Sequence, residues 1–414
     1  MKNGYLSQYF DGVAVKILSQ VEANNLVSHQ HEFNGVDGLK KLLGSPSQKV
    51  KYNAKFMYFT DYDDEALTED GKLTWYDGRK KGREERNIQR TEYRLYFPNN
   101  TVTQYANAGD TMILAKKKES DELLLVIAEK GTTIASQLLW LFGFSEIENP
   151  SLSIREELET EQDRIAFASR VILENIGIEV EISEESYLDD MLRRFKGGFP
   201  PTKTFSEYAR MTLGNIDFCS DYDNILMLCY EQEEILFRTL EKHMVAERLS
   251  RGFNGAAGID DFFQFSLSTQ NRRKSRVGLA LENHLEFLFQ KNRIHYDRSP
   301  ITENKSKPDF LFPGITEYKD PSFSYINLTM LGVKSTCKDR WRQVLSEADR
   351  IETKHVLTLE SAISTGQTDE MKQRCVQLVV PQKIIETYKS DQQQWIFTVA
   401  DFFELLKDRQ KKGK

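Results

Sequence analysis

The sequence predicts a β-rich region over residues 1–150, a linker over 151–190, and a mixed α/β region over 191–414. Three observations predict it. Short β-branched and aromatic runs dominate the first 145 residues. A polar, acidic stretch with a proline at its start, "ENPSLSIREELETEQDR", follows them. From residue 221 the apolar residues recur at helical turn spacing.

In the first region, "KFMYFT" (55–60), "EYRLYFP" (92–98), "TMILAK" (111–116) and "ELLLVIAEKG" (122–131) read as strands. The runs 111–116 and 122–128 flank "KKESD" as a hairpin does. "GRKKGREERNIQR" (78–90) has too few apolar residues to pack and reads as a loop or exposed strand edge. "KGGFPPTKTF" (196–205) marks a second break. "NILMLCYEQEEILFRTLEKHM" and "SRVGLALENHLEFLFQ" are amphipathic helices, the second burying Val277, Leu281, Leu285 and Leu288. "KPDFLFPG" and "LTMLGVKS" read as buried strands. "CKDRWRQVLSEADRI" reads as a helix with Trp341, Val344, Leu345 and Ala348 on one stripe. "KHVLTLE" and "VQLVVP" complete a strand set. Helix–strand–strand–helix–strand–strand is a mixed α/β layer.

The formal net charge is −7, so no global basic field points to nucleic acid, and local patches must carry any such function. The four cysteines (219, 229, 337 and 375) form no CxxC pair, and no His/Cys spacing suits zinc. The six histidines show no metal spacing. The start lacks an apolar signal core, and no apolar run approaches the ~18 residues of a membrane span. These features lead us to expect a reduced, soluble, cytoplasmic protein.

The chemistry concentrates at two strand ends. Asp309 heads one apolar strand, and Lys334 ends another 25 residues later. Paired strands would set them side by side, the carboxylate for magnesium and the lysine to orient or activate water, as metal-dependent phosphodiester hydrolysis requires. The nuclease pattern PD-(D/E)xK wants an acid two residues before the lysine, where this chain has Gly332. Glu347, 13 residues after Lys334, is placed to supply that carboxylate, and Glu282 a third, with Glu286 as its rival.

Lys338, Asp339, Arg340 and Arg342 follow the lysine directly. Arg and Lys read guanine in the major groove and Asp accepts from cytosine N4. The Lys338-Asp339-Arg340 triplet also reads as an ion-paired helix N-terminus, with Asp339 favoured by the helix dipole, and the residues alone do not choose. "NRRKSR" (271–276), with Arg272, Arg273, Lys274 and Arg276, suits phosphate contacts or equally a solvated basic turn. Trp341 reads as core and Tyr318 as structural.

Three blocks, "NRRKSRVGLALENHLEFLF", "ITENKSKPDFLFPG" and "LGVKSTCKDRWRQVLSEADRI", closely resemble the catalytic domain of EcoRII-like type II restriction endonucleases, densely from about 250 to 385. The resemblance implies a restriction-endonuclease-like α/β core (PD-(D/E)xK) behind a β-rich N-terminal pseudobarrel. It implies Asp309, Lys334 and Glu347 as the catalytic set, with Asp309 and Glu347 on Mg2+. Glu282 is implied as an additional acid and Tyr318 as a nearby tyrosine. Lys338, Asp339 and Arg340 would read the outer pairs of a CC…GG site. The family recognises CCWGG, cleaves before the first cytosine and flips the central bases. A homodimer on double-stranded DNA, and a cognate methyltransferase protecting the same site, are implied with it. The family's first domain binds a second DNA copy as effector. Lys81, Arg83, Glu84 and Arg86, with His29, are the matching candidates here. A junction or repair nuclease on the same core, and a non-cleaving DNA-binding regulator, are the competing readings.

Overall fold

The computed structural model describes residues 4–23, 31–63, 65–80, 90–144, 147, 152–181, 184–196, 198–253, 258–338 and 340–413. The chain divides into two compact units, Met1–Val180 with Ala362–Gln367 and Glu181–Ser361 with Thr368–Lys414.

The first unit is built on one sheet, in the order β2-β5-β4-β3-β7-β6-β1-β8 among the described residues. Its strands are β1 (Phe10–Ile17), β2 (Glu32–Asn34), β3 (Val50–Phe59), β4 (Leu67–Asp77), β5 (Tyr93–Tyr96), β6 (Thr111–Lys117), β7 (Glu122–Ala128) and β8 (Ser153–Arg155). Neighbours pair antiparallel, except β3 with β7. β6 and β7 form the expected hairpin. The unbroken apolar run of β7 has a physical reason: Leu123, Leu125 and Ile127 enter one core, while Leu124, Val126 and Ala128 enter another. Helices α1 (Thr133–Leu141) and α2 (Phe167–Asn175) cover the second core with Leu138, Ile172 and Leu173.

Four strands of this unit, β1, β2, β4 and β8, went unread in the sequence. β4, "LTEDGKLTWYD", alternates polar and apolar residues, because only Leu73, Trp75 and Asp77 turn inward. The expected linker over 151–190 is a correction. Through Val180 it belongs to the first unit: β8 pairs with β1, and Leu158, Phe167 and Ile176 are buried. Its charges are spent locally, Arg155 donating to Asp163.

Among its described residues the second unit carries a five-stranded sheet in the order β13-β12-β11-β10-β9. The strands are β9 (Asp297–Arg298), β10 (Phe310–Phe312), β11 (Thr329–Lys334), β12 (Lys354–Thr358) and β13 (Val376–Val379). β9, β10 and β11 run antiparallel, whereas β11, β12 and β13 are parallel. Helices α3 (Thr202–Thr212), α4 (Tyr222–Arg251), α5 (Gly258–Lys291) and α6 (Val399–Lys412) complete the main framework. Phe289 of α5 contacts Phe310, Phe312 and Phe403, joining both helices to β10.

Three local expectations are corrected. Val277 is exposed, while Leu281, Leu285 and Leu288 are buried as expected. "NRRKSR" lies inside α5 and does not precede its helix. The segment after Lys334 forms a 3-10 helix, Arg340–Ser346, and not an α-helix. Its buried Trp341 and Val344 are three apart, which fits three residues per turn. Lys338 and Ala348, both at positive φ, bracket it. Among the described residues no helix is long and apolar enough to cross a membrane. All four cysteines are free.

Candidate active site

The antiparallel register of β10 and β11 sets Phe310 against Leu331, which brings Asp309 to the end of β11. Asp309 Oδ2 accepts from the backbone N–H of Val333 at 2.6 Å and from Lys334 Nζ at 3.2 Å. The carboxylate is therefore held by both the main chain and the side chain of the strand it faces.

The missing acid at position 332 has a steric cause. A Cβ on Gly332 would meet Val344 Cγ1 at 2.7 Å, because the 3-10 segment lies directly on the strand there. That same segment delivers Glu347 just past its end. Burial pushes the Glu347 carboxyl up to about 7, with the Lys334 charge opposing and the Asp309 charge adding to the rise. Glu347 Oε2 is buried and has no hydrogen-bond partner among the described residues.

The loop after Glu347 is braced on two sides. Lys354, buried at the start of β12, donates to the carbonyls of Ala348 at 2.7 Å and Ile351 at 2.6 Å. Tyr318 donates to Glu303 Oε2 at 2.7 Å and accepts from Arg350 N at 3.2 Å. Burial and the bond to Glu303 push its hydroxyl pKa up. Tyr318 thus sits in the brace of the Glu347 loop, not on the Asp309–Lys334 pair. Sequence reasoning missed Lys354 and Glu303, because a lysine opening a strand and a glutamate in a turn look like surface residues.

Glu282 comes toward the same centre from α5. Burial raises its pKa, the Arg298 hydrogen bond opposes this, and the Asp309 charge adds to the rise. Arg298 holds it at 2.8 Å and grips Glu286 at the same distance. Arg298 itself had given no signal in the sequence. Glu282 is therefore a pinned acid at the edge of the centre, and Glu286 shares its clamp.

Magnesium typically takes one or two protein carboxylates and keeps several waters. Asp309 and the unpartnered, buried oxygen of Glu347 fit that habit. No cluster of three or more His, Cys, Asp and Glu residues is placed to form a complete metal cage among the described residues.

The basic residues separate by environment. Arg340 is exposed and Lys338 partly so. Arg342 is exposed but clamped by Glu370 at 2.6 and 3.3 Å, so its guanidinium is engaged within the unit. In "NRRKSR" the phosphate-contact expectation is corrected for two residues. Arg276 is buried, donates to the Pro200 carbonyl and lies over the Phe199, Phe205 and Phe237 rings. Arg273 pairs with the buried Glu241 at 2.6 Å. Arg272 lies over Phe199, and Lys274 is exposed. Their positions inside a packed helix explain why a dense charge run is mostly structural here. Asp339, His29, Lys81, Arg83, Glu84 and Arg86 lie outside the described residues. His284 is buried between Arg210 and Glu233, and His355 packs on Phe402; both are core histidines.

Residues 237–403 match the family model described as EcoRII C terminal. A curated relative, the type II restriction enzyme EcoRII of Escherichia coli, is 40% identical over 187 residues. That alignment spans 45% of this chain and 46% of the relative, about half its length. Among solved structures, metal-depleted Ecl18kI in complex with uncleaved, modified DNA is 20% identical at a TM-score of 0.45, over 55% of this chain and 84% of that one. A PspGI–substrate DNA complex is 19% identical at a TM-score of 0.42, over 52% of this chain and 94% of that one. The matched segment, 237–403, contains Asp309, Lys334 and Glu347 together with the brace that positions them, and over that segment the chain is similar to the C-terminal domain of EcoRII.

Proposed function

We propose that this protein is a type II restriction endonuclease that hydrolyses double-stranded DNA at a short CC…GG site, CCWGG-like, with Mg2+. The observation that carries this reading is the meeting of Asp309, Lys334 and Glu347 at one sheet end, inside a segment related to a type II restriction enzyme.

Asp309 and Glu347 would hold the metal, which when bound supplies Lewis acidity at the scissile phosphate and lowers the pKa of water. The chain's own residues do the rest. Asp309 is fixed by the Val333 amide, so its carboxylate is aimed before substrate arrives. Lys334 carries a positive charge beside it, suited to orienting the attacking water and to countering charge that develops on phosphate oxygens. Glu282, locked by Arg298, sets the negative potential at the edge of the centre. Lys338, Asp339 and Arg340 would read the outer C·G pairs.

One chain carries one such centre, and a pseudopalindromic duplex has two strands to cut. A homodimer related by a two-fold axis satisfies both. The first unit would act as a pseudobarrel DNA-binding domain taking a second copy of the site as effector. A cognate methyltransferase would protect host DNA. The test is digestion of plasmids carrying zero, one or several CCWGG sites, with magnesium or with chelator. Site-mapped fragments in magnesium alone support the reading. Binding without cutting under any divalent metal would favour a DNA-binding regulator.

A further inference from the structure

The turn that joins Lys334 to the 3-10 segment hangs on one buried carboxylate that the catalytic reading does not use. Glu360 lies two residues beyond β12 and is 7% exposed. Its Oε2 accepts from the backbone N–H of Cys337 and from that of Lys338, the latter at 3.1 Å. Two successive amides converging on one anion form a nest.

The turn needs such an anchor. Lys338 has φ +30°, a conformation that costs free energy for a residue with a Cβ and persists only where the surroundings impose it. Glu360 is itself fixed. Its amide donates to Thr358 Oγ1 at 3.1 Å, and its carbonyl accepts from the buried Tyr388 hydroxyl at 2.6 Å. Cys337, whose amide donates to the Glu360 carboxylate, is fully buried. A chain of contacts therefore runs from Tyr388 through Glu360 into the backbone of Lys338, two residues before Arg340.

We propose that Glu360 is a positioning residue for base readout: it sets the 335–338 turn so that Lys338 and Arg340 are presented in fixed register with Lys334. This rests on the endonuclease reading above. Parallel pairing of β11 with β12 makes the coupling direct, since Lys334 pairs with Thr358, two residues before Glu360. A readout side chain on a turn that wanders by an ångström loses its bidentate geometry, so discrimination falls before turnover does.

The experiment compares full-length wild type, Glu360→Ala, Glu360→Gln and Tyr388→Phe. Each is assayed on duplexes carrying the recognition site or the same site with one outer C·G pair changed. The readout is the ratio of single-turnover rates on the two duplexes. Glu360→Ala is expected to lower the ratio about tenfold or more, the scale of one lost bidentate contact. Glu360→Gln, whose amide oxygen still accepts the backbone N–H groups, is expected to recover most of it. Tyr388→Phe is expected to show a smaller loss in the same direction, and it decides the matter if Glu360→Ala does not fold. A wild-type ratio in Glu360→Ala, or in Tyr388→Phe when the alanine variant is unfolded, overturns the role. If wild type cuts neither duplex, the endonuclease reading fails instead.

Discussion

Lys334 Nζ stands 3.2 Å from Asp309 Oδ2, although the two residues are 25 apart in the chain, because β10 and β11 are adjacent antiparallel strands. The pair places a fixed positive charge against a fixed negative one at the sheet end. Lys334→Ala is expected to reduce single-turnover cleavage at least about 10²-fold, the low end for a positioned proton-transfer group. Specific binding without divalent metal should persist, because Lys338 and Arg340, the proposed base readers, are untouched. Cleavage time courses and gel shifts on the same duplex check both halves. Cutting at the normal rate would remove Lys334 from the chemistry.

Burial pushes the Glu347 carboxyl up to about 7. Its pKa is raised, so below about 7 the carboxyl is protonated, and a metal must displace that proton. Apparent Mg2+ affinity should therefore weaken by up to about tenfold per pH unit below 7 and level off above it. Glu347→Gln should flatten the dependence along with weakening the metal. Mg2+ titrations followed by calorimetry at pH 6, 7 and 8, on wild type and variant, provide the measurement. A pH-independent affinity in wild type would remove Glu347 from the ligand set.

Gly332 marks where the common nuclease pattern has its acid, and Val344 Cγ1 stands where a Cβ would go. Gly332→Ala should cost about 1–3 kcal/mol through overpacking, and Gly332→Asp should be worse without restoring anything. Combining Gly332→Ala with Val344→Ala should recover part of the loss. Chemical denaturation of the three variants tests this. An active, stable Gly332→Asp protein would mean that the 3-10 segment is not packed on β11.

The two arginines of "DRWR" should behave differently. Arg340 is exposed, whereas Arg342 is clamped by Glu370. Arg340→Ala should lower discrimination at an outer C·G pair by about 1–3 kcal/mol. Arg342→Ala should leave it unchanged. Competitive cleavage of matched and single-pair-changed duplexes separates them.

His355 is buried in β12, and burial drives its pKa down to about 3. The folded state keeps it neutral, while the unfolded chain binds a proton below about 6.5. Stability is therefore intact above 6.5 and falls as pH drops toward 3, by up to about 1.4 kcal/mol per unit from this residue. His355→Gln should lose less Tm between pH 7 and pH 5 than wild type does. An unchanged difference would mean that the ring is already protonated in the fold.

The second unit was legible where one rule governed each residue. Strand ends, apolar runs and the Asp309–Lys334 spacing pointed to the strand end where these two side chains meet, because β11 pairs with β10. Structure after Lys334 was misread because a stripe spaced at three and four residues suits an α-helix as well as the 3-10 turn observed. The charge run at 271–276 was ambiguous for a different reason. Only tertiary packing tells a phosphate contact from Arg276 folded among three phenylalanine rings. Lys354, Arg298 and Glu360 escaped notice altogether. Each is a polar side chain whose role is to satisfy groups far away in sequence, and no local pattern encodes that. In the first unit, β4 was lost because its outward face is fully polar.

The most direct measurement is digestion of an unmethylated plasmid bearing CCWGG sites by wild type and Lys334→Ala, in magnesium and in chelator. Site-mapped fragments from wild type in magnesium alone, with none from the variant, are the expected result. Equal cutting by both proteins, or no cutting by wild type with any divalent metal, would contradict an endonuclease built on Asp309, Lys334 and Glu347.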